Sequence, residues 1–252
     1  MLEPSETPTP PIIIDLGEMN YDDAYAVQVA RVEEVLSWRA QNPGPHPMGY
    51  IITVVHSPAV ITISRRPGAG FHLLATTAAL NADGIQVRET DRGGDITYHG
   101  PGQLVVYPII DIQRIGLGLH SYMRLLEQAV IDTCAQMRVG VEVEGIVADR
   151  DAAATGVFIA GAKACAMGVR VRKWVTMHGL ALNISTNLAH FDHIVPCGLV
   201  GRSVTSLHRV ISQRQPKAAL PSFAGVRELL LANLQLLLAG AAASRARPAA
   251  HG

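Results

Sequence analysis

The chain is expected to be an α+β protein in which helices flank a mostly antiparallel mixed sheet. Three observations predict this class. Short β-branched runs recur at 50–56, 60–63, 85–88 and 105–110. Three more runs between 157 and 184 are separated only by tight turns. Stretches of helical spacing at 21–40, 121–137 and 223–239 stand between groups of strands and do not alternate with them singly.

Taken in order, residues 1–11 are proline-rich and expected to be loose, and Ile12-Ile13-Ile14-Asp15-Leu16 reads as a short buried strand. Tyr21, Tyr25, Gln28, Val32 and Val35 fall on one helical face. Asn20 is placed to cap that helix, and Asn42-Pro43-Gly44-Pro45 ends it. Two strands, 50–56 and 60–63, flank a turn at Ser57-Pro58. A short helix over 73–82 stops at Gly84 and leads into a strand at 85–88. The strand at 105–110 contains Pro108, which lacks an N–H and is expected near its end or on a sheet edge. A helix over 121–137 and a strand over 139–144 follow. Ala160-Gly161-Ala162 then makes a tight hairpin between 157–159 and 164–171, and 175–184 completes a three-stranded meander. The leucine-rich helix at 223–239 precedes an Ala/Arg/Pro tail with little to pack. No repeat or linker divides the chain, so the expected organisation is one domain over 12–239 with flexible ends at 1–11 and 240–252.

Composition narrows the function. At 252 residues and 48% hydrophobic the chain can bury a sizeable core, while 21 basic against 21 acidic residues create no global field toward nucleic acid or membrane. The apolar stretch 229–238 is shorter than the ~20 residues a membrane span needs. The first residues are acidic and proline-rich where a signal peptide would be basic and then apolar, and no arginine precedes Arg31, unlike a transit peptide. Cys134, Cys165 and Cys197 are odd in number and fit neither a disulfide framework nor a metal pattern, so a reducing cytoplasm is expected. The histidines, among them His46, His56, His190 and His193, do not stand at ligand spacing with thiols or carboxylates; no metal is expected.

Three segments and one bend concentrate chemistry. Asp91-Arg92-Gly93-Gly94-Asp95-Ile96-Thr97-Tyr98-His99-Gly100-Pro101-Gly102-Gln103 has the glycine content to turn backbone N–H groups toward a ligand, without the spacing of a P-loop or dinucleotide fingerprint. As a plain turn it would leave Arg92 in an ordinary salt bridge. In Gly161-Ala162-Lys163-Ala164-Cys165-Ala166-Met167-Gly168 a hairpin lysine is followed by small residues, a strip along which an extended apolar chain can lie. Lys163 either meets an anion there or snorkels to solvent, and Cys165 reads as core. In His178-Gly179-Leu180-Ala181-Leu182-Asn183 a lone strand histidine reads more readily as structural, whereas a mid-strand glycine signals close approach by another backbone or a ligand. Finally, Pro196-Cys197-Gly198 puts a thiol on a constrained bend, as either a small buried residue or a nucleophile.

Together, the stretch Arg92 to Gln103, the Gly161-Ala162-Lys163 hairpin, His178 to Asn183 and Pro196-Cys197-Gly198-Leu199 resemble the lipoyl(octanoyl) transferase family. The similarity runs over about residues 12–207 and includes Val204-Thr205-Ser206-Leu207. It implies the biotin/lipoate protein ligase-like fold and transfer of an octanoyl group, in lipoate biosynthesis, from octanoyl-acyl carrier protein to a specific lysine of lipoyl domains. It also implies acceptors among 2-oxoacid dehydrogenase complexes and the glycine cleavage H protein, no cofactor, and a monomer. Carried over by position, Cys197 is the acyl-thioester nucleophile and Lys163 the lysine that lowers its pKa. The acyl site is Arg92, Gly93, Gly94, Asp95, Ile96, Thr97, Tyr98 and His99, with Ala166, Met167 and Gly168, and with Gly179, Leu180 and Ala181. Burying the seven carbons beyond the carbonyl would contribute on the order of 5 kcal/mol. Ser64 before Arg65-Arg66, an apparent insertion at 147–155 and the extra thiol of Cys165 depart from the family pattern.

Rival readings are an ATP-dependent lipoate-protein ligase, an octanoyl amidotransferase of the same fold, or a non-enzymatic binder of acyl chains or carrier domains. Arg170, Arg172 and Lys173 form the basic cluster nearest the proposed site, suited to acidic carrier domains or else a solvated strand edge.

Overall fold

The computed structural model describes residues 8–41, 46–137, 143–146, 155–195 and 203–246. Cys197 lies outside the described residues, as does most of the apparent insertion.

Along the chain run β1 (Ile12–Met19), α1 (Tyr21–Gln41), β2 (Gly49–His56), β3 (Val60–Ser64), α2 (Thr77–Ala82), β4 (Gln86–Thr90), β5 (Ile96–His99) and β6 (Gln103–Ile110). They are followed by α3 (Leu119–Gln136), β7 (Val143–Ile146), β8 (Gly156–Ile159), β9 (Ala162–Arg172), β10 (Val175–Asn183), α4 (Leu207–Arg214) and α5 (Phe223–Ala246). Seven strands form one sheet in the order β1-β2-β6-β10-β9-β8-β7, and three form a second, β4-β3-β5. Among the described residues only the strand pairs β1–β2 and β3–β4 are parallel, so the expected mostly antiparallel α+β class holds.

Strand β6 shows why the large sheet is central. All eight of its residues are buried. Leu104, Val106 and Ile110 pack toward α3 and α5, while Val105, Tyr107 and Ile109 pack toward α1. A strand covered on both faces needs a continuous apolar run, which is what the sequence supplies. Helix α1 starts where Asn20 accepts the N–H of Asp23 (2.9 Å), the cap its sequence predicts. The meander β8-β9-β10 turns twice through non-glycine residues at positive φ, at Ala160 (φ 50) with Gly161 (φ 78), and at Lys173 (φ 50) with Trp174 (φ 67).

Several expectations are corrected. Strand β1 is an exposed edge, with Ile12 and Ile13 open to solvent, not a buried strand. Strands β2 and β3 flank the turn at Ser57-Pro58 but do not pair, because the chain changes sheets there. Helix α2 begins later than residue 73, at the point where Thr76 caps the N–H of Ala79. Residues 8–11 are held, since Thr9 bridges to Pro47. Helix α5 runs seven residues into the expected tail and buries Ala242. By length and mean hydropathy (1.4) it could cross a membrane. Its stripe of Val226, Leu230, Leu234 and Leu238 is instead wholly buried in the core, and Asn233 donates to Thr133 of α3 (3.0 Å).

Pro108 lies near the end of β6, two residues before Ile110, as expected, but β6 is an interior strand, and the neighbouring strand explains how the proline is tolerated. The β6–β10 ladder stops at Val106–Leu180. Beyond it His178 adopts φ 58 and gives its N–H to Gln28 of α1 (2.8 Å). Thr176 Oγ1 then accepts from Ile110 N–H (2.9 Å) and donates to Pro108 O (2.7 Å), so a side chain replaces the ladder where proline has no donor. The strands close so tightly that a Cβ on Gly179 would lie 2.3 Å from Val106 O and 2.7 Å from Pro108 Cδ. Gly179→Ala is therefore expected to lower stability by about 1–3 kcal/mol, measured as a shifted urea midpoint. An unchanged midpoint would mean that β6 moves aside at no cost.

Candidate active site

The three predicted segments meet at the middle of β9 and β10. Register pairs Ala181 with Ala166, Leu180 with Met167 and Gly179 with Gly168, so two of the segments are one stretch of ladder. The third crosses over them: Gly93 N–H donates to Val169 O (2.9 Å), and a Cβ on Gly168 would lie 2.4 Å from Gly93 O. Residue 168 must be glycine for the loop before β5 to lie this close. Between loop and strands is a cleft lined by Arg92, Gly94, Asp95, Ile96, Thr97, His99, Ala166, Met167, Gly168, Gly179, Leu180 and Ala181. Tyr21, Val105, Tyr107 and His178 complete its wall.

Two predicted residues serve differently. Gly93 contributes its backbone contact to β9 and does not line the cleft. Tyr98 points into the small-sheet core, edge-on to Phe191 (5.2 Å) with its hydroxyl on His190 Nδ1 (2.8 Å). The Arg92 guanidinium donates to Thr62 O (2.8 Å) and Thr62 Oγ1 (3.0 Å).

The cleft rests on buried, hydrogen-bonded polar groups. His178 Nε2 lies 2.8 Å from Asp91 Oδ1, and Asp91 also accepts from Tyr25 (2.9 Å) and from Arg170. The bond from His178, ahead of that from Tyr25, holds the Asp91 carboxyl down at about 2 against the opposing effect of desolvation. Burial keeps His178 below its ordinary value although Asp91 pulls the other way. A neutral imidazole facing an ionised carboxylate carries its proton on Nε2. His56 meets the Tyr107 hydroxyl at 2.7 Å, and burial lowers its pKa to about 4. His99 is held well below its usual value, chiefly by burial. It bonds Gln103 Oε1 (2.8 Å); Gln103 Nε2 donates to Asn183 (2.9 Å), and Asn183 Nδ2 to Thr205 O (3.0 Å).

Lys163 is buried (6% exposed) and does not snorkel to solvent. Its Nζ donates to Thr155 O (3.3 Å) and sits 5.2 Å from the centre of the Phe158 ring. Its backbone donates to Ser203 O and accepts from Thr205 N–H, both at 2.9 Å. On the other side of Cys197, Val195 N–H donates to His72 O (2.8 Å) and Ile194 bridges Leu73. Cys165 is core as expected, with burial pushing its thiol up; burial likewise raises Cys134 to about 12. Arg170 and Arg172 are engaged by Asp91 and Glu33, so two of the three charges in the expected basic cluster are compensated within the chain.

Residues 24–231 match the family described as the lipoyl protein ligase A/B catalytic domain. The chain is 40% identical over 219 residues to an octanoyltransferase of Geobacter sulfurreducens, covering 85% of this chain and 83% of that one. It is 41% identical over 228 residues to an octanoyltransferase of Bacteroides fragilis, covering 88% and 98%. The chain belongs to the octanoyltransferase family. Its fold is shared more widely. A lipoate-protein ligase A solved with ATP superposes at TM-score 0.67 (15% identity; 95% of this chain, 93% of that one). A bipartite lipoate protein ligase from Thermoplasma acidophilum gives 0.63 (16% identity; 95% and 91%).

For this octanoyltransferase family member, the motifs in sequence located the cleft but not all of its lining. Tyr21, Val105 and Tyr107 carry no motif: helical spacing marks the first, and a continuous apolar strand the other two, only as core, while His178 is both the structural residue expected and a wall residue. The buried imidazoles carry a measurable signature. An unfolded His56 protonates near 6.5 but the folded one near 4, so the unfolded state binds more protons between those values and stability falls as pH drops through that window. The full contribution is about 3 kcal/mol. Stability measured from pH 7 to pH 4 is expected to fall less steeply in His56→Gln; parallel curves would refute the assignment.

Proposed function

We propose that the protein transfers an octanoyl group from octanoyl-acyl carrier protein to a lysine of a lipoyl domain, through a thioester on Cys197. The observation that carries this reading is the convergence of three separate segments on one narrow cleft, with Lys163 three residues along β9 from Ala166. Its names agree with it: the relatives are octanoyltransferases, and one structural neighbour was studied with its E2 lipoyl domain. The acceptors are lipoyl domains of 2-oxoacid dehydrogenase complexes and the glycine cleavage H protein, and the setting is the cytoplasm.

In the first half-reaction the Cys197 thiolate attacks the carrier thioester and expels the carrier thiolate, which takes a proton from the Lys163 ammonium and leaves as the thiol. In the second, the lysine amine attacks the acyl-enzyme. A free thiol near pKa ~8.5 is only a few per cent thiolate at neutral pH, and a neighbouring ammonium favours the anion. Lys163 supplies that charge. The alkyl chain lies in the cleft between the paired stretch Ala166–Gly168 and Gly179–Ala181 on one side and the loop Arg92–Thr97 on the other, with the neutral imidazoles of the wall presenting no unpaired charge to it.

Intact-mass measurement after mixing with octanoyl-acyl carrier protein tests the mechanism. A single hydroxylamine-labile octanoyl adduct is expected, absent in Cys197→Ala. In Lys163→Met, alkylation of Cys197 at pH 7 is expected to slow about tenfold or more. An unmodified wild-type protein would overturn the covalent route.

A further inference from the structure

A donor that arrives as a protein needs a surface beside the cleft on which to sit. An acyl carrier protein is acidic and presents its thioester on an arm that carries a phosphodiester, whereas a lipoyl domain brings a lysine ammonium to the same cleft. A basic rim attracts the first and repels the second. We propose that Arg65, Arg66 and Phe71 form the docking surface for the acidic donor carrier, an inference that rests on the octanoyl-transfer reading above.

Residues 64–82 include Arg65, Arg66 and His72 and no carboxylate. Arg65 is exposed, and the Arg66 side chain is 52% exposed. Asp95, which Arg66 meets at 3.7 Å, is itself 2% exposed and also holds His72 Nδ1 (2.8 Å), so it brings little negative charge to the surface. Arg170 and Arg172, by contrast, are engaged by Asp91 and Glu33. Beside the arginines stands an apolar anchor. Phe71 is 89% exposed, more than any other large apolar residue described, and Leu74 is 59% exposed. An aromatic ring flanked by guanidinium groups is the composition of an interface anchor.

The loop that carries these side chains is ordered. Ala69 is buried, its N–H donates to Arg66 O (3.1 Å), and Phe71 N–H donates to Gly68 O (3.0 Å). Leu74 N–H is fastened to His193 O (2.8 Å). A ring held out in this way loses little freedom when a partner covers it. The same loop adjoins the cleft. Ser64 gives its N–H to Asp95 O (3.1 Å) and its hydroxyl to Gly94 O (2.9 Å), and its Oγ accepts from Arg66 N–H (3.2 Å). Gly94 and Asp95 line the cleft, so a carrier seated on the loop sends its arm across them, with the phosphate passing the arginines.

Binding of fluorescently labelled octanoyl-acyl carrier protein to the Cys197→Ala protein, which leaves the acyl group on the carrier, tests this by anisotropy at low salt. Adding Arg65→Glu is expected to weaken binding about tenfold and to flatten its salt dependence, and adding Phe71→Ala to weaken it about fivefold. With Cys197 restored, both variants should take octanoyl from the small thioester octanoyl-N-acetylcysteamine at the wild-type rate and bind a lipoyl domain as the wild type does. Carrier affinity unchanged in both variants overturns the docking surface. So do equal losses with the small thioester, which would mean that the loop shapes the cleft, and losses that fall on the lipoyl domain instead. A wild-type protein that octanoyl-acyl carrier protein neither binds nor acylates overturns the donor reading itself.

Discussion

The cleft exists because two glycines face each other across β9 and β10. Gly168 and Gly179 are register partners, and each is pressed from a different side. Gly168 meets the carbonyl of Gly93 above, and Gly179 meets the carbonyl of Val106 on β6. Side chains at either place would push the loop or the neighbouring strand away. Removing them lets three segments far apart in sequence approach within van der Waals distance, leaving a channel floored by backbone and small residues. The same closeness forces the local exception on β10: the strand turns through positive φ at His178, Thr176 takes over the bonds that a ladder would make, and Pro108 is accommodated in a central strand.

An alkyl chain proposed for this cleft needs the histidines, tyrosines and aspartate beside it to be electrically quiet. Burial achieves this for His56 and His99, whose charged forms are disfavoured, and hydrogen bonds give each neutral ring a partner. Asp91 remains ionised, but His178, Tyr25 and Arg170 surround it and confine its charge. The polar floor is thus a scaffold. It ties α1, β4, β6 and β10 together, and through Gln103 and Asn183 it reaches Thr205, the residue whose N–H is held by Lys163.

What was legible in sequence follows from what kind of information each feature carries. Local period gave the helices and the meander, and glycine clusters marked where backbones approach, so twelve predicted residues line one cleft. Partner choice is not local. Nothing at Ser57-Pro58 announces that β2 and β3 join different sheets, and nothing around Pro108 announces that Thr176, 68 positions later, will complete its bonding. The burial of Lys163 was equally hidden, since it depends on residues 203–205 returning to the hairpin. Exposure of β1 reverses an expectation drawn from its isoleucines, because at the start of this edge strand the consecutive Ile12 and Ile13, on opposite faces, are both uncovered.

The segment that carries Cys197 is tethered at both ends to pieces of opposite chemical character. Upstream, Val195 is fastened to His72 beside an anionic carboxylate. Downstream, Ser203 and Thr205 clasp the backbone of the cationic Lys163. In the proposed acyl-enzyme route the thiol must be an anion when it accepts the acyl group, and a nearby cation favours that thiolate. The tethers belong to different parts of the fold, the downstream one to the large sheet through β9 and the upstream one to the small-sheet core through Ile194.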